Sequence, residues 1–483
     1  MSAYSLLRSG HDPQSRVCFD AGLNTWLTRA ELISRTDDFA ADLTTHLRSE
    51  RKALGFAFLR NDLPSVTVHL GIMEAGHAIA ALDAELDADF RRQLIARFHP
   101  DFILVPVDDI PGWSPGEGWT GPVMLRAGMV LWCSTSRPQR EIHPDLALLF
   151  STSGSTGSPR FVRLSARNLA LHTPMLNAAL ASSPADVAIL TSPVFNALGQ
   201  SLIHGALLSG GSFVLTRARI TSAEFWNIVR TCGCTRIAGT PYFYQVLDRL
   251  DLESLNVPTL QTFICTGGRL PELLATKLHG RLTARGSTFH IMYGQAETTA
   301  RMSGIPPALL PAAIRSVGFA LPPGRLWVEA DGRVCGPHEE DELMYEGPGV
   351  MMGYANSSDD LAAGDLLGGT IATGDLGYRD EAGLIYITGR KSRFVKVFGW
   401  RVSLDDVEEI LACESHHIAA LNDTERIVVF HLHSDPTLVE RIHEAAVRLR
   451  LHPSCFTLFP VDSLPLLPTG KINYRALADL LQS

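Results

Sequence analysis

Apolar and polar positions along this chain alternate between two periods. Residues 55–59 (GFAFL), 101–107 (DFILVPV), 146–150 (LALLF), 187–192 (VAILTS), 212–216 (SFVLT) and 235–241 (TRIAGTP) are short apolar runs bounded by turn residues. Such runs mark strands buried on both faces. Between them, 65–82 (SVTVHLGIMEAGHAIAAL) and 225–233 (FWNIVRTCG) carry apolar residues at helical spacing, and another helix is expected near 200–209. Residues 258–268 (PTLQTFICTGG) read as a strand running into a glycine turn. The alternation predicts parallel sheets covered by helices. From about residue 315 short strands separated by Gly turns take over, as in LWVEADGRV and ELMYEGPGVMMGY, and predict a β-rich subdomain.

A boundary is expected near 388–393 (TGRKSR). Beyond it the chain has its own pattern: a two-stranded element in 394–402, an amphipathic helix over 404–413, a strand at 426–432, a helix over 437–451, and a strand at 456 that ends in a loop before 472. The predicted organisation is an α/β N-terminal domain at 1–389, a connection at 390–393, and a small α+β C-terminal domain at 394–483.

Composition narrows the function classes. The chain has 483 residues, 46% hydrophobic and 19% charged, as globular proteins do. A net charge of -9 gives no basic excess for nucleic acid. No segment reaches the ~18–20 uninterrupted apolar residues of a membrane span, and the start, MSAYSLLRSGHDPQSR, lacks a signal-peptide core. A cytoplasmic protein is expected. Eight Cys residues are scattered, with Cys232 and Cys234 the one close pair, so reduced thiols are expected and a metal motif is not.

The densest chemistry lies at 151–160, STSGSTGSPR. Small residues free the backbone N–H groups to approach a polyphosphate, hydroxyls add donors, and Arg160 supplies charge. The Walker A spacing is absent. A flexible linker has a similar composition, but this stretch sits between two strand-like runs, LALLF and FVRL. Four further motifs each admit an ordinary reading as well, a turn, a helix start or, for the last, a solvated lysine. TGG (266–268) would let a flat ligand approach the backbone. YGQAETT (293–299) offers an aromatic ring and a carboxylate suited to a divalent cation on phosphates. TGDLG (373–377) offers a carboxylate for two hydroxyls. PTGKI (468–472) places Lys471 on a tight turn.

Together and in this order these motifs, with GRKSRFVKVFGWRV, SVGFALPPG (316–324), GPGVMMGY (347–354) and LPTGKI, resemble those of the AMP-forming, acyl-adenylate-forming superfamily. That superfamily includes acyl- and aryl-CoA synthetases, firefly-type luciferases and adenylation domains of nonribosomal peptide synthetases. The resemblance covers essentially the whole chain and implies a small, mobile C-terminal lid. It also implies two steps: a carboxylic acid and ATP give an acyl-adenylate and pyrophosphate, then a thiol displaces AMP. Lys471 matches the lysine bridging carboxylate and α-phosphate. Ser151, Thr152, Ser153, Gly154, Ser155, Thr156, Gly157 and Arg160 would cradle the β- and γ-phosphates. Glu297 would hold Mg²⁺ and Thr298 would touch the α-phosphate. Gly267, Gly268, Tyr293 and Gly294 would flank adenine, and Asp375 and Arg390 would hold the ribose. After adenylation the lid would rotate and exchange Lys471 for the loop around Gly399.

The chain departs from the family pattern in places. Arg160 stands for the usual Lys, Ala296 for Thr or Ser, and Ser392-Arg393 for the usual hinge pair. Asn196 stands where many members have a His beside the reacting carboxylate; it can donate a hydrogen bond but carries no charge. No acid follows Asn196 through residue 222, which disfavours an α-amino acid, whose buried ammonium would need a partner. The expected pocket walls are Ala197, Leu198, Gly199, Tyr242, Phe243 and Gly268, suited to an aryl or short-to-medium acyl acid. The thiol would belong to coenzyme A or to a carrier protein acting in trans. A non-thiol acceptor, or a catalytically idle nucleotide-binding relative, is the alternative.

Overall fold

The apolar runs become the centres of two large sheets. In a computed structural model, residues 8–482 are described except 9, 48–50, 111–112, 137–139, 153–159, 251, 253, 392, 398–399, 412–417, 424–425, 433–436, 450 and 468–471. A nine-stranded sheet runs in the order Phe319–Ala320, Ser303–Gly304, Thr288–Tyr293, Thr262–Cys265, Arg236–Gly239, Val187–Ile189, Ser212–Leu215, Arg16–Asp20, Thr25–Thr28. From Thr288–Tyr293 to Arg16–Asp20 all neighbours are parallel. The chain leaves Val187–Ile189 for Ser212–Leu215 on one side, then crosses to Arg236–Gly239 on the other. The strand order therefore reverses at Val187–Ile189, and open α/β sheets bind ligands beyond the carboxyl ends of strands at such a point.

An eight-stranded sheet holds Leu54–Leu59, Ala78–Asp83, Phe102–Pro106, Leu146–Thr152 and Arg160–Ser165, with Gly353–Ala355 at its edge. The expected single helix over 65–82 is corrected: the helix is Leu63–Glu74, and Ala78–Asp83 is a strand. Gly76, at φ 78°, breaks the run between them. The periodicity misled because the helix is buried almost all round, so both elements are continuously apolar. A five-stranded antiparallel sheet made of Arg333–Val334, Arg325–Ala330, Asp341–Glu346, Thr370–Arg379 and Ile385–Arg390 supplies the β-rich portion.

Beyond it, Phe394–Val397 pairs with Trp400–Ser403, and Leu404–Leu411 is an amphipathic helix. A three-stranded sheet (Ala419–Asp423, Arg426–Leu432, Phe456–Val461) and the helices Leu438–Arg448 and Tyr474–Gln482 complete the chain. An apolar cluster including Val395, Val407, Leu411, Val429 and Ile442 lies inside this part. Side-chain attachments change sides just before it. Lys391 Nζ bonds Glu342 at 2.8 Å, whereas Arg393 pairs with Asp405 at 2.6 Å and Glu408 at 2.8 Å and stacks on Tyr474. Among the described residues, no helix is long and apolar enough to cross a membrane. Seven cysteines are free thiols there, and no cluster of three metal-ligating side chains occurs. Cys413 and the pair His416-His417 lie outside the described residues.

Candidate active site

The segments that follow four neighbouring parallel strands carry most of the expected site: 190–199, 240–243, 266–268 and 294–299. They lie side by side because their strands do. Gly267 has φ 85°, and Gly268 approaches Pro241 from the next segment.

The five-stranded sheet brings a buried carboxylate to this edge. Asp375 and Arg390 are register partners on adjacent strands, and Asp375 Oδ1 accepts from Arg390 Nε at 3.0 Å. The Tyr293 hydroxyl, at the end of its own strand, donates to Asp375 Oδ2. The Asp375 side chain is 5% exposed while that of Arg390 is 58% exposed, so the cation reaches solvent and the carboxylate does not. Burial pushes the Asp375 carboxyl up, opposed by Arg390 and the Tyr293 hydroxyl. Burial, then the Asp375 charge, pushes the Tyr293 phenol well above its usual range, so it stays a donor.

A second carboxylate comes from the short turn Ala296–Thr298. Glu297 Oε1 accepts from the Tyr354 hydroxyl at 2.8 Å, and the Arg160 guanidinium lies 4.0 Å from the centroid of the Tyr354 ring. Tyr354 and Arg160 belong to paired strands of the eight-stranded sheet, so Glu297 joins the two large sheets. Arg160 and Thr152 are register partners at the base of the Ser/Gly hairpin. Ser151 is exposed on the preceding strand. Ser153, Gly154, Ser155, Thr156 and Gly157 lie outside the described residues, as do Gly399 and Lys471. Met351 N donates to Glu297 O at 2.9 Å, and Thr299 Oγ1 to Gly349 O at 2.6 Å, pinning the turn to the 347–354 segment. Thr299 and Ala300 have φ of 55° and 93°, uncommon for non-glycine residues and found where a site over-determines its backbone.

Several expected residues have local partners. Thr298 is fully buried and its hydroxyl donates to Gln295 O at 3.1 Å. Gly294 is where the backbone crowds: an added Cβ would lie 2.0 Å from Ala300 O. Asn196 caps the helix Ala197–Ser209, its Oδ1 accepting from Gly199 N at 2.9 Å, and its amide bonds Ser192. The cap preference of Asn before an apolar helical run signalled this role. Ala197 and Leu198 are half-buried at the helix start, Tyr242 is 44% exposed, and Phe243 is buried against Tyr244. Sequence reasoning missed Tyr354, since a tyrosine after Gly-rich turns reads as any strand residue. It also missed a set of buried polar side chains: Gln200 and His204 on the Asn196 helix, and His172 and Arg301.

A family model described as AMP-binding enzyme matches residues 8–355. Equisetin synthetase of Fusarium heterosporum is 28% identical over 373 residues, 69% of this chain and 9% of that protein. A 2-succinylbenzoate–CoA ligase of Geobacillus sp. (strain WCH70) is 28% identical over 286 residues, 58% of this chain and 56% of the ligase. The matched region thus spans less than two thirds of either relative. The o-succinylbenzoate CoA synthetase of Bacillus subtilis, in complex with the acyl-adenylate intermediate OSB-AMP, superposes with a TM-score of 0.79 at 21% identity, covering 99% of this chain and 98% of that one. The same synthetase is also known with ATP and a magnesium ion.

Proposed function

This chain belongs to the AMP-binding enzyme family, and from that premise we propose that it activates a carboxylic acid with ATP and passes the acyl group to a thiol. The observation that carries the reading is the Asp375 carboxylate. It is buried at the carboxyl-end crevice and held by Arg390 and Tyr293, with one lone-pair site left on each oxygen for a vicinal diol.

In the first step a carboxylate oxygen of the acid bonds to the α-phosphorus of ATP and the bond to pyrophosphate breaks. Two anions must meet, so the site has to concentrate positive charge there. Lys471 bridges the carboxylate and the α-phosphate, the 151–160 loop cradles the outer phosphates, and Asp375 with Arg390 orients the ribose. Asn196, whose amide donates to Ser192 Oγ at 3.0 Å, has a second N–H to offer the acid. Mg²⁺ typically takes one or two carboxylates plus phosphate oxygens. Glu297 fits that set: Tyr354 holds Oε1, and Oε2 has no protein partner among the described residues. The bound ion would neutralise phosphate charge. In the second step a thiol sulfur attacks the acyl carbon, AMP leaves, and the thiol proton is released. The acceptor is a phosphopantetheine thiol, of coenzyme A as the ligase relatives' names suggest, or of a carrier protein in trans.

Residues 1–389 form the nucleotide- and acid-binding domain, 390–393 the hinge, and 394–483 the lid carrying Lys471. The change of attachments between Lys391 and Arg393 supports that division. A cytoplasmic location belongs to the same proposal. The test is ATP–pyrophosphate exchange over aryl acids, alkanoic acids and amino acids, with Mg²⁺ and no thiol. Exchange is expected with an aryl or acyl acid. Nucleotide binding without exchange on any acid would show an idle relative instead. The Lys471→Ala protein should keep its melting temperature and lose about 10³-fold or more in exchange rate.

A further inference from the structure

The last helix, Tyr474–Gln482, begins three residues after Lys471, and its first side chain reaches back to Arg393 at the end of the 390–393 connection. Lys471 lies outside the described residues, but the chain that follows it is fixed. Ile472 pairs with Leu466 in an antiparallel bridge, and Asn473 N donates to Pro465 O at 2.8 Å. Consecutive Cα atoms are about 3.8 Å apart, so whatever holds Ile472 to Tyr474 limits where Lys471 can be. The two bonds just named tie this segment to the stretch after the strand Phe456–Val461. A second tie runs to the connection, and Glu408 makes it.

Glu408, on the helix Leu404–Leu411, gathers donors from three other elements. Its Oε1 accepts from Arg393 Nη2 at 2.8 Å and from Ala420 N at 2.6 Å, and the Tyr474 hydroxyl donates to Oε2 at 2.8 Å. The Arg393 guanidinium also lies 4.0 Å from the centroid of the Tyr474 ring. The side chains of Arg393 and Glu408 are 15% and 16% exposed, so water screens this pair less than it screens surface pairs. Burial, then the Glu408 charge, pushes the Tyr474 phenol above its usual range, so its hydroxyl stays a donor. A carboxylate this far from water is costly when a donor is taken away, so the cluster favours one arrangement of its parts.

We infer that Tyr474 is a positioning residue for the adenylation step: through Glu408 and Arg393 it couples the end of the hinge to the segment of Lys471. The lysine then reaches the α-phosphate in one fixed place when the lid turns. This deepens the proposed function and rests on its assignment of Lys471.

The test is a double-mutant cycle of Tyr474→Phe with Lys471→Ala, read by pyrophosphate exchange on whichever aryl or alkanoic acid exchanges fastest. Tyr474→Phe keeps the ring beneath Arg393 and removes only the hydroxyl. In the wild-type background it should lower kcat about tenfold or more, because small misplacements of a reacting group are costly, and leave both KM values within about twofold. In the Lys471→Ala background the same change should cost less than twofold, since no lysine is left to place. A merely structural tyrosine would cost the same factor in both backgrounds; that result, or an unchanged rate in the single variant, would overturn the inference and leave the proposed function standing. Lys471→Ala at the wild-type rate, or no exchange with any acid, would overturn the assignment beneath it, and this inference with it. Should Tyr474→Phe not fold, Arg393→Lys keeps the charge but loses the planar stack, and the same cycle with Lys471→Ala decides.

Discussion

Replacing Asp375 with Asn isolates what its carboxylate does. The side chain keeps its shape but loses its charge, and one oxygen becomes an NH₂. Arg390 Nε donates to Oδ1 at 3.0 Å and the Tyr293 hydroxyl donates to Oδ2; the new amide keeps both contacts with its oxygen toward Arg390 and its NH₂ toward the Tyr293 hydroxyl, which can accept instead of donate. What is lost with and without ATP is the charge facing Arg390, a small change in stability because Arg390 is 58% exposed. What ATP alone feels is one ribose hydroxyl without its acceptor. A hydrogen bond to a charged group contributes about 1.5–3 kcal/mol, so kcat/KM for ATP should fall by about 10- to 150-fold. Exchange rates with ATP varied at saturating acid, then acid varied at saturating ATP, would read it; the KM for ATP should rise while that for the acid stays within about twofold. The sharper assay is a double-mutant cycle with 2′-deoxy- and 3′-deoxy-ATP, where the penalty should shrink for the analogue lacking the affected hydroxyl. A penalty of equal size with ATP and both analogues would mean that Asp375 does not hold the ribose.

Two further outcomes follow from the geometry. Gly294→Ala places a methyl group 2.0 Å from Ala300 O and 2.5 Å from Arg301 Cα, both backbone atoms that cannot swing aside; thermal unfolding should show a loss of about 3 kcal/mol, and an unchanged melting temperature would contradict the packing described. His172 and His204 are held by burial at about 3 and about 4, so the folded protein keeps them neutral. The unfolded chain takes up their protons near pH 6.5, so it binds more protons than the folded chain below that pH, and stability is lost as pH falls. Each should remove about 1 kcal/mol between pH 6.5 and 5.5. Urea midpoints at those two pH values measure it; a His172→Gln protein should lose less, and equal losses would refute a neutral, buried His172.

Much of this molecule was legible before any coordinates, because local physics dominates there. The buried strands, the helix 404–411 and the two-stranded element near 394–403 follow from periodicity and turn residues, which depend on near neighbours. The order of the motifs from STSGSTGSPR to LPTGKI was enough to suggest the family. The helix over 65–82 failed because two fully buried elements share one apolar pattern, and only Gly76 separates them.

The site itself depended on pairings distant in the chain. Glu297 and Tyr354 are 57 positions apart, Tyr293 and Asp375 82 apart, and each pair spans two sheets. A single residue's neighbours in sequence say nothing of such contacts. The reversal of strand order at Val187–Ile189 likewise exists only once the strands are assembled, and the same sheet sets the loop of Asn196 and the segment after Tyr293 at the two ends of a row of four. Gln200 and His172 read in sequence as ordinary polar residues in helical runs. Only the fold buries both and leaves their polar atoms without partners among the described residues. Residue types and their order thus settle which chemistry is available. Packing settles which of those groups meet, and which are left unmatched, because burial and hydrogen-bond satisfaction belong to the assembled chain.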